Sequence, residues 1–329
     1  MSDLKTTYLG LELKNPLVVS SSPLTDSPEK VEQLAEAGAA AVVIKSIFEE
    51  QISSDVGGMY DELEGETSGF AMEYLRADLP ARLGPEKYLR NIKEMKKRVD
   101  IPVIASVNCV NSSTWVNYAR KIEDAGADAL ELNLYQMPVD SSVSSNEIEA
   151  RHVKMVEQVN AAVSLPVAVK LSRHYTALFH FVRELEKVGA GGVILFNRFL
   201  HADISLDEES VGYAPNYSTP SVFPSQLRWA AVMREIVNCD IAVSGGIHSG
   251  SEMAKALLVG ANAGYVCSAI LKDGRLDRIK TILHGLEKWM ESKNYSDLAS
   301  FRGRLRETDV ADRRGFERAQ YIKAATELE

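Results

Sequence analysis

Asp240 to Ser268 reads DIAVSGGIHSGSEMAKALLVGANAGYVCS. An aliphatic run, Ile241 to Val243, ends in Gly245-Gly246. A helical stretch carrying Met253, Leu257 and Leu258 on one face then stops at Val259-Gly260-Ala261, before a second run, Ala263 to Val266. Glycine just past a last helical turn takes the left-handed conformation that closes a helix, and a short aliphatic run after it suits a strand buried on both faces. The segment is therefore one strand, helix, strand unit. The same stop followed by a strand recurs at Ala37-Gly38-Ala39 before AVVI, Ala125-Gly126-Ala127 before ALEL, and Val188-Gly189-Ala190 before GVIL. Between these, Ile101-Pro102 before VIASV and Leu165-Pro166 before VAVKL end helical stretches, because proline forbids helix and the run after it reads as strand.

The intervening stretches repeat apolar residues at helical spacing, as in Val153, Val156 and Val159 or Ile279, Ile282, Leu283 and Leu286. Strands are predicted near 17–20, 41–44, 103–107, 129–134, 167–171, 192–196, 241–244 and 263–267. Eight strands alternating with helices in 329 residues predict an α/β fold, a single-domain (β/α)8 TIM barrel with function at the C-terminal ends of its strands. A doubly wound open sheet is the rival, but it would carry G-x-G-x-x-G after its first strand, where this chain has Ser20-Ser21-Ser22-Pro23. Connections at about 46–84, 135–146 and 198–222 are long enough to build an active-site rim. The barrel is expected over residues 1–306, with an amphipathic helical extension over 307–329 whose Phe316, Ala319, Tyr321 and Ile322 are available for packing.

With 37 basic and 46 acidic side chains, a net charge of −9 repels phosphate backbones and anionic lipid, so neither nucleic acid nor a membrane is the expected partner. A small-molecule substrate fits better. Cys109, Cys239 and Cys267 are scattered and form no C-x-x-C pair, which argues against disulfides, zinc or an iron–sulfur centre. Residues 1–7 are polar and no long apolar run occurs, so a cytoplasmic location is expected. His201, Asp203 and Asp207 lack a second ligand cluster, and Asp203 to Glu209 reads as a solvated acidic loop; no metal is expected.

The predicted strand ends are polar: Lys45-Ser46, Asn133, Lys170, Asn197, Gly245-Gly246 and Ser268. Small residues and free backbone N–H groups after the seventh and eighth strands suit a phosphate in this architecture. Lysines at two strand ends with asparagines nearby suit an electron-rich ring, and cations beside a flavin stabilise its reduced anion. Arg173-His174 directly follows the Lys170 strand and as Lys-Leu-Ser-Arg-His could place a cation at the pocket rim, but His152 and His174 are expected at the surface.

The order TTYLGLELKNPLVVSSSP, VIKS, SVN, ELNL, VAVKL, FNRF, the segment from Ser244, and the tail DRIKTILHGLEKWMESKNYSDLASFRGRL resembles the class 1 dihydroorotate dehydrogenases from about residue 6 to about 306. The resemblance implies an FMN-containing barrel, a homodimer in the simplest branch, that oxidises dihydroorotate to orotate. It implies that Ser20, Ser21 and Ser22 lie beside the flavin, that Lys45, Ser46, Asn133 and Lys170 contact its ring or ribityl chain, and that Gly245, Gly246, Cys267 and Ser268 surround its phosphate. Asn197 matches a substrate asparagine, and Lys45 and Asn133 also face the substrate side.

The departures fall on that substrate side. Gln136 stands where the family has a Cys or Ser base, and an amide cannot accept the proton. Arg76 to Arg82 replaces the family's NSMGLPN loop, Pro138 replaces a substrate asparagine, and Arg198 replaces a small serine or threonine beside Asn197. Tyr135 is a candidate replacement acid, or else an aromatic that packs in its loop. The resulting expectation is an FMN-dependent oxidoreductase of a dihydroorotate-like CH–CH bond. The alternatives are an FMN barrel acting on another cyclic substrate or passing electrons to a separate protein partner, and an aldolase-type barrel with Lys170 as Schiff-base lysine.

Overall fold

A computed structural model describes residues 2–52, 84–108, 112–134, 136, 139–198, 202–213, 217–306, 321–323 and 325–326. A hairpin of β1 (Thr6–Tyr8) and β2 (Leu11–Leu13) precedes the first barrel strand, β3 (Leu17–Val19). The barrel continues through β4 (Ala41–Val43), β6 (Val103–Asn108), β7 (Ala129–Asn133), β8 (Val167–Leu171), β9 (Gly192–Leu195), β12 (Asp240–Ser244) and β13 (Ala263–Val266). Every pairing in this ring is parallel, and β13 pairs with β3, which closes it. The short β5 (Ile47–Phe48) adds to β6 beyond the end of β4. All eight predicted strands are found within a residue or so of their expected bounds.

The glycines of the repeated helix stop adopt the conformation their position demands: φ is +110° at Gly38, +90° at Gly126, +96° at Gly189 and +100° at Gly260. Helices start on local caps as well. Ser27 caps α1 (Pro28–Glu36), and serine–glutamate capping boxes open two of the helices that follow. In chain order these are α2 (Glu49–Ile52), α3 (Pro85–Arg98), α4 (Ser112–Asp124), α5 (Ser145–Asn160), α6 (Leu178–Lys187), α7 (Phe223–Met233), α8 (Gly250–Leu258), α9 (Ser268–Leu271) and α10 (Arg278–Ser292). The boxes are Ser144 with Glu147 before α5 and Ser249 with Glu252 before α8.

Two apolar layers result. Alternate strand residues such as Val167, Val169 and Leu171 face the helices, while the barrel interior takes Ala41, Ala129, Ala168, Ala242 and Ala263. Those small interior residues leave space for Tyr8 and Tyr265, whose hydroxyls are 3.1 Å apart. The β1–β2 hairpin plugs the N-terminal end of the barrel: the Leu9 N–H donates to Asp240 Oδ2 at 2.6 Å, and Thr6 Oγ1 donates to the Asn262 carbonyl. Arg302 Nη1 in turn donates to Thr6 Oγ1.

Two local expectations change. The acidic segment after β9 is an antiparallel hairpin, β10 (Ala202–Ser205) with β11 (Ser210–Tyr213), since Ile204 and Val211 pair across it. His152, expected at the surface, is only 4% exposed, because α5 turns it onto the Tyr175 hydroxyl and the Phe181 ring. In the C-terminal extension, residues 321–323 and 325–326 are helical, with Tyr321 and Ile322 exposed; Phe316 and Ala319 lie outside the described residues. Among the described residues no helix is long and apolar enough to cross a membrane.

Candidate active site

Period-two alternation decides what reaches the mouth. Ala129 and Ala168 point into the barrel, so Glu131 and Asn133 on β7 and Lys170 on β8 point inward above them. Asn133 is in register with Lys170, and Ser106 with Glu131. The result is a polar tier at the C-terminal end of an otherwise apolar interior.

Lys170 is the centre of that tier. Its Nζ donates to Ser20 Oγ at 3.3 Å and lies 3.6 Å from Glu131 Oε1; both side chains of this ion pair are buried. Glu131 also accepts from Ser106 Oγ, while its Oε2 has no hydrogen-bond partner. A serine relay runs sideways from Ser106 to Ser46 at 2.8 Å and from Ser46 to Ser21 at 3.0 Å. Burial, with the Glu131 charge nearby, pushes the Tyr265 and Tyr8 phenols well above their usual range, so both stay neutral.

Above the tier opens a cavity of about 370 Å³. Ser20, Ser21, Lys170, Asn197, Arg198, Gly245, Gly246, Cys267 and Ser268 all line it. One side is built from the turns after β12 and β13. Gly245 and Gly246 have φ of +96° and +85°, and a side chain on Gly246 would collide with Phe223, its Cβ 2.8 Å from that residue's Cβ. Ser218 ties the turns together: its N–H donates to Ser268 Oγ, its Oγ accepts from the Gly246 N–H, and its carbonyl accepts from His248 Nε2. Gln226, buried at the same wall, has an Oε1 without a partner. Burial raises the Cys267 thiol, although Ser22 and Lys170 oppose the shift.

The rim after β8 and β9 is cationic. Arg173 sits 5.6 Å from the centre of the Phe196 ring, and His174 and Arg198 line the same cavity. Arg173 and His174 are exposed, as the sequence suggests, and also line the mouth of the cavity; Ser172 Oγ accepts from the His174 N–H. Next to Arg198 in sequence, Asn197 donates its Nδ2 to Asn133 Oδ1 at 3.1 Å.

The remaining candidates divide. Asn133 and Ser46 are one hydrogen bond behind the cavity wall. Ser22 is turned aside, accepting from the Leu24 N–H as a helix cap. Lys45 follows β4 at the same mouth, half-buried, and Gln136 follows β7; neither lines the cavity. Tyr135 lies outside the described residues, as do Arg76, Arg82, Pro138 and His201. Sequence reasoning missed Glu131, Ser218, Gln226, Phe196 and Tyr265. Glu131 alone had a readable signal: a carboxylate in an aliphatic strand, on the face of Ala129 and Asn133.

Comparison with known proteins bears on this arrangement. A family model described as dihydroorotate dehydrogenase matches residues 3–290. The catalytic subunit of dihydroorotate dehydrogenase B (NAD(+)) from Thermoplasma acidophilum is 26% identical, over 92% of this chain and 99% of that protein. The NAD-dependent dihydropyrimidine dehydrogenase subunit PreA of Escherichia coli K12 is 26% identical, and the chloroplastic dihydropyrimidine dehydrogenase (NADP(+)) of Arabidopsis thaliana 25%; each match covers 92% of this chain and 76% of the relative.

Proposed function

Because the chain belongs to the dihydroorotate dehydrogenase family, a family of oxidoreductases, we propose that it binds FMN in the cavity at the barrel mouth and oxidises a CH–CH bond of a cyclic, dihydropyrimidine-like substrate. The observation that carries this reading is the convergence of Ser20, Ser21, Lys170, Asn197, Gly245, Gly246, Cys267 and Ser268 on one cavity. The cavity residues fit the cofactor. The Gly245-Gly246 turn carries no side chains to fill the cavity it lines, the unpartnered Gln226 Oε1 supplies an acceptor for a hydroxyl, and no described lining residue is acidic.

FMN, when bound, supplies a two-electron acceptor for hydride leaving the substrate ring. The chain's own residues do the rest. Lys170, held by Glu131 and Ser20, would set an ammonium beside the cofactor ring. Gly245, Gly246, Cys267 and Ser268 would hold the phosphate, and Ser20 and Ser21 would face the ring, with Ser46 behind Ser21 through their hydrogen bond. Asn133 and Asn197, bonded to each other, would present amide donors and acceptors that match a ring imide, and Arg198 lines the same cavity. Gln136 occupies the position of the proton acceptor without the capacity to accept, which leaves Tyr135 as the candidate for moving the proton.

Two relatives are named as subunits, and for this chain we propose a homodimer in the cytoplasm that passes its electrons to a separate reductase subunit. An anaerobic visible spectrum of the purified protein, taken before and after dihydroorotate, tests the activity. A flavin band that bleaches supports dihydroorotate oxidation. A band that persists with dihydroorotate and bleaches with dihydrouracil redirects the substrate, and a protein that takes up no FMN overturns the reading.

A further inference from the structure

Glu131 and Lys170 are, among the described residues, the only aspartate, glutamate, lysine or arginine side chains buried from solvent. They are buried together, with Lys170 Nζ 3.6 Å from Glu131 Oε1. An ion pair in this setting is a poor source of stability, because desolvating two charges offsets most of their attraction and apolar residues of like volume serve as well or better. Here the pair is also incompletely satisfied. Ser106 Oγ donates to Glu131 Oε1 at 3.4 Å, longer than an ordinary hydroxyl bond, and Oε2 has no hydrogen-bond partner. A buried acceptor left unpaired costs free energy that packing alone does not justify.

Strand register shows what the carboxylate can act on. Glu131 is in register with Ala168, and Asn133 with Lys170, so Glu131 lies one inward-facing layer deeper in the barrel. Lys170 lines the cavity and Glu131 does not. The carboxylate therefore acts on a cavity occupant through Lys170 and through space rather than by touch. Its surroundings transmit that field. The interior below is alanine and aliphatic, Tyr8 and Tyr265 are held neutral by burial, and such a medium screens charge far less than water does. A lysine alone at this place would favour electrons on a flavin ring at full strength, and a carboxylate behind it takes back part of that gain.

We propose that Glu131 is a positioning residue that tunes the flavin: it fixes the Lys170 ammonium and offsets part of its charge, which lowers the two-electron reduction potential of bound FMN. This rests on the reading of the cavity as an FMN site with Lys170 beside the ring. The reduced cofactor is then a stronger electron donor, suited to a separate reductase subunit as its acceptor.

The test is the potential of the FMN-loaded protein, titrated anaerobically with dithionite against a reference dye, in wild type, Glu131→Gln and Glu131→Asp. Glu131→Gln removes the charge and keeps the volume. It is expected to favour reduction by about tenfold to a hundredfold in the equilibrium constant, a rise of about 30 to 60 mV for two electrons. Glu131→Asp keeps the charge but draws it back from Lys170, and its potential is expected to lie between the other two. A merely structural role leaves every folded, FMN-loaded variant at the wild-type potential, so an unchanged value overturns the assignment. A fall in Glu131→Gln overturns it as well. If Glu131→Gln does not fold or holds no FMN, Glu131→Asp decides alone. Loss of FMN from both folded variants also counts against the assignment, by making Glu131 a determinant of binding instead of potential. A wild-type protein that takes up no FMN instead overturns the underlying reading of the site.

Discussion

At the scale of single residues, Glu131 is the most consequential side chain the strand pattern conceals. It is fully buried, one of its oxygens is unpartnered, and its only ion-pair partner among the described residues is Lys170. Removing one member of a buried pair strands the other charge. Glu131→Gln keeps the volume, and is expected to lower unfolding free energy by about 3 kcal/mol, read from the urea midpoint. An unchanged midpoint would mean that Lys170 does not depend on Glu131. Gln136 offers a second test. If it occupies the position of the proton acceptor, Gln136→Cys is expected to speed dihydroorotate-dependent flavin bleaching on the order of a hundredfold in anaerobic stopped flow. An unchanged rate would place proton transfer elsewhere.

Elements show how far the site depends on packing behind it. The loop after β8 carries Arg173 and His174, and it is backed by Tyr175, which stacks on Phe181 and bonds His152 of α5. Burial pushes the His152 imidazole from the ordinary 6.5 down to about 4. Between those values the unfolded chain binds a proton that the folded one refuses. Stability from this group is therefore complete above about pH 6.5 and declines as pH falls toward 4, by about 3 kcal/mol in all. Urea midpoints at pH 7 and 4.5 should differ less in His152→Gln than in wild type. Helix contacts are equally local. At the crossing of α8 and α10, a Cβ on Gly250 would lie 2.2 Å from the Leu286 nitrogen, so Gly250→Ala is expected to cost about 3 kcal/mol or more. On the exposed hairpin Gly212 meets nothing within 4 Å, and Gly212→Ala should change the melting temperature little.

Over the whole molecule, the barrel was legible because its signals are local. A glycine closing a helix and an aliphatic run after it depend on a dozen residues, and four such phrases, with the aliphatic runs between them, gave the strand count. Positions at strand ends, such as Ser20, Lys170 and Gly245, followed from the same count. What escaped depends on distance. Ser218 and Gln226 come from a long connection without periodicity, and only the closed ring brings Ser218 against Ser268, fifty residues away. His152 sits in a polar run of α5, and its burial is set by Tyr175 on a different element.

The plug at the N-terminal end carries one more consequence, for the order in which the molecule is made. Thr6 and Tyr8 are synthesised early, yet their partners Asn262, Tyr265 and Arg302 come from the last quarter of the described barrel. Until β13 leaves the ribosome, β3 and β12 each present an unpaired edge, and the barrel's floor has nothing to seat against. Nascent chains halted before Ala263 are expected to be sticky and protease-sensitive, and those released after Arg306 protected, as pulse proteolysis of stalled chains would measure. The ring's closure thus acts as a late clasp.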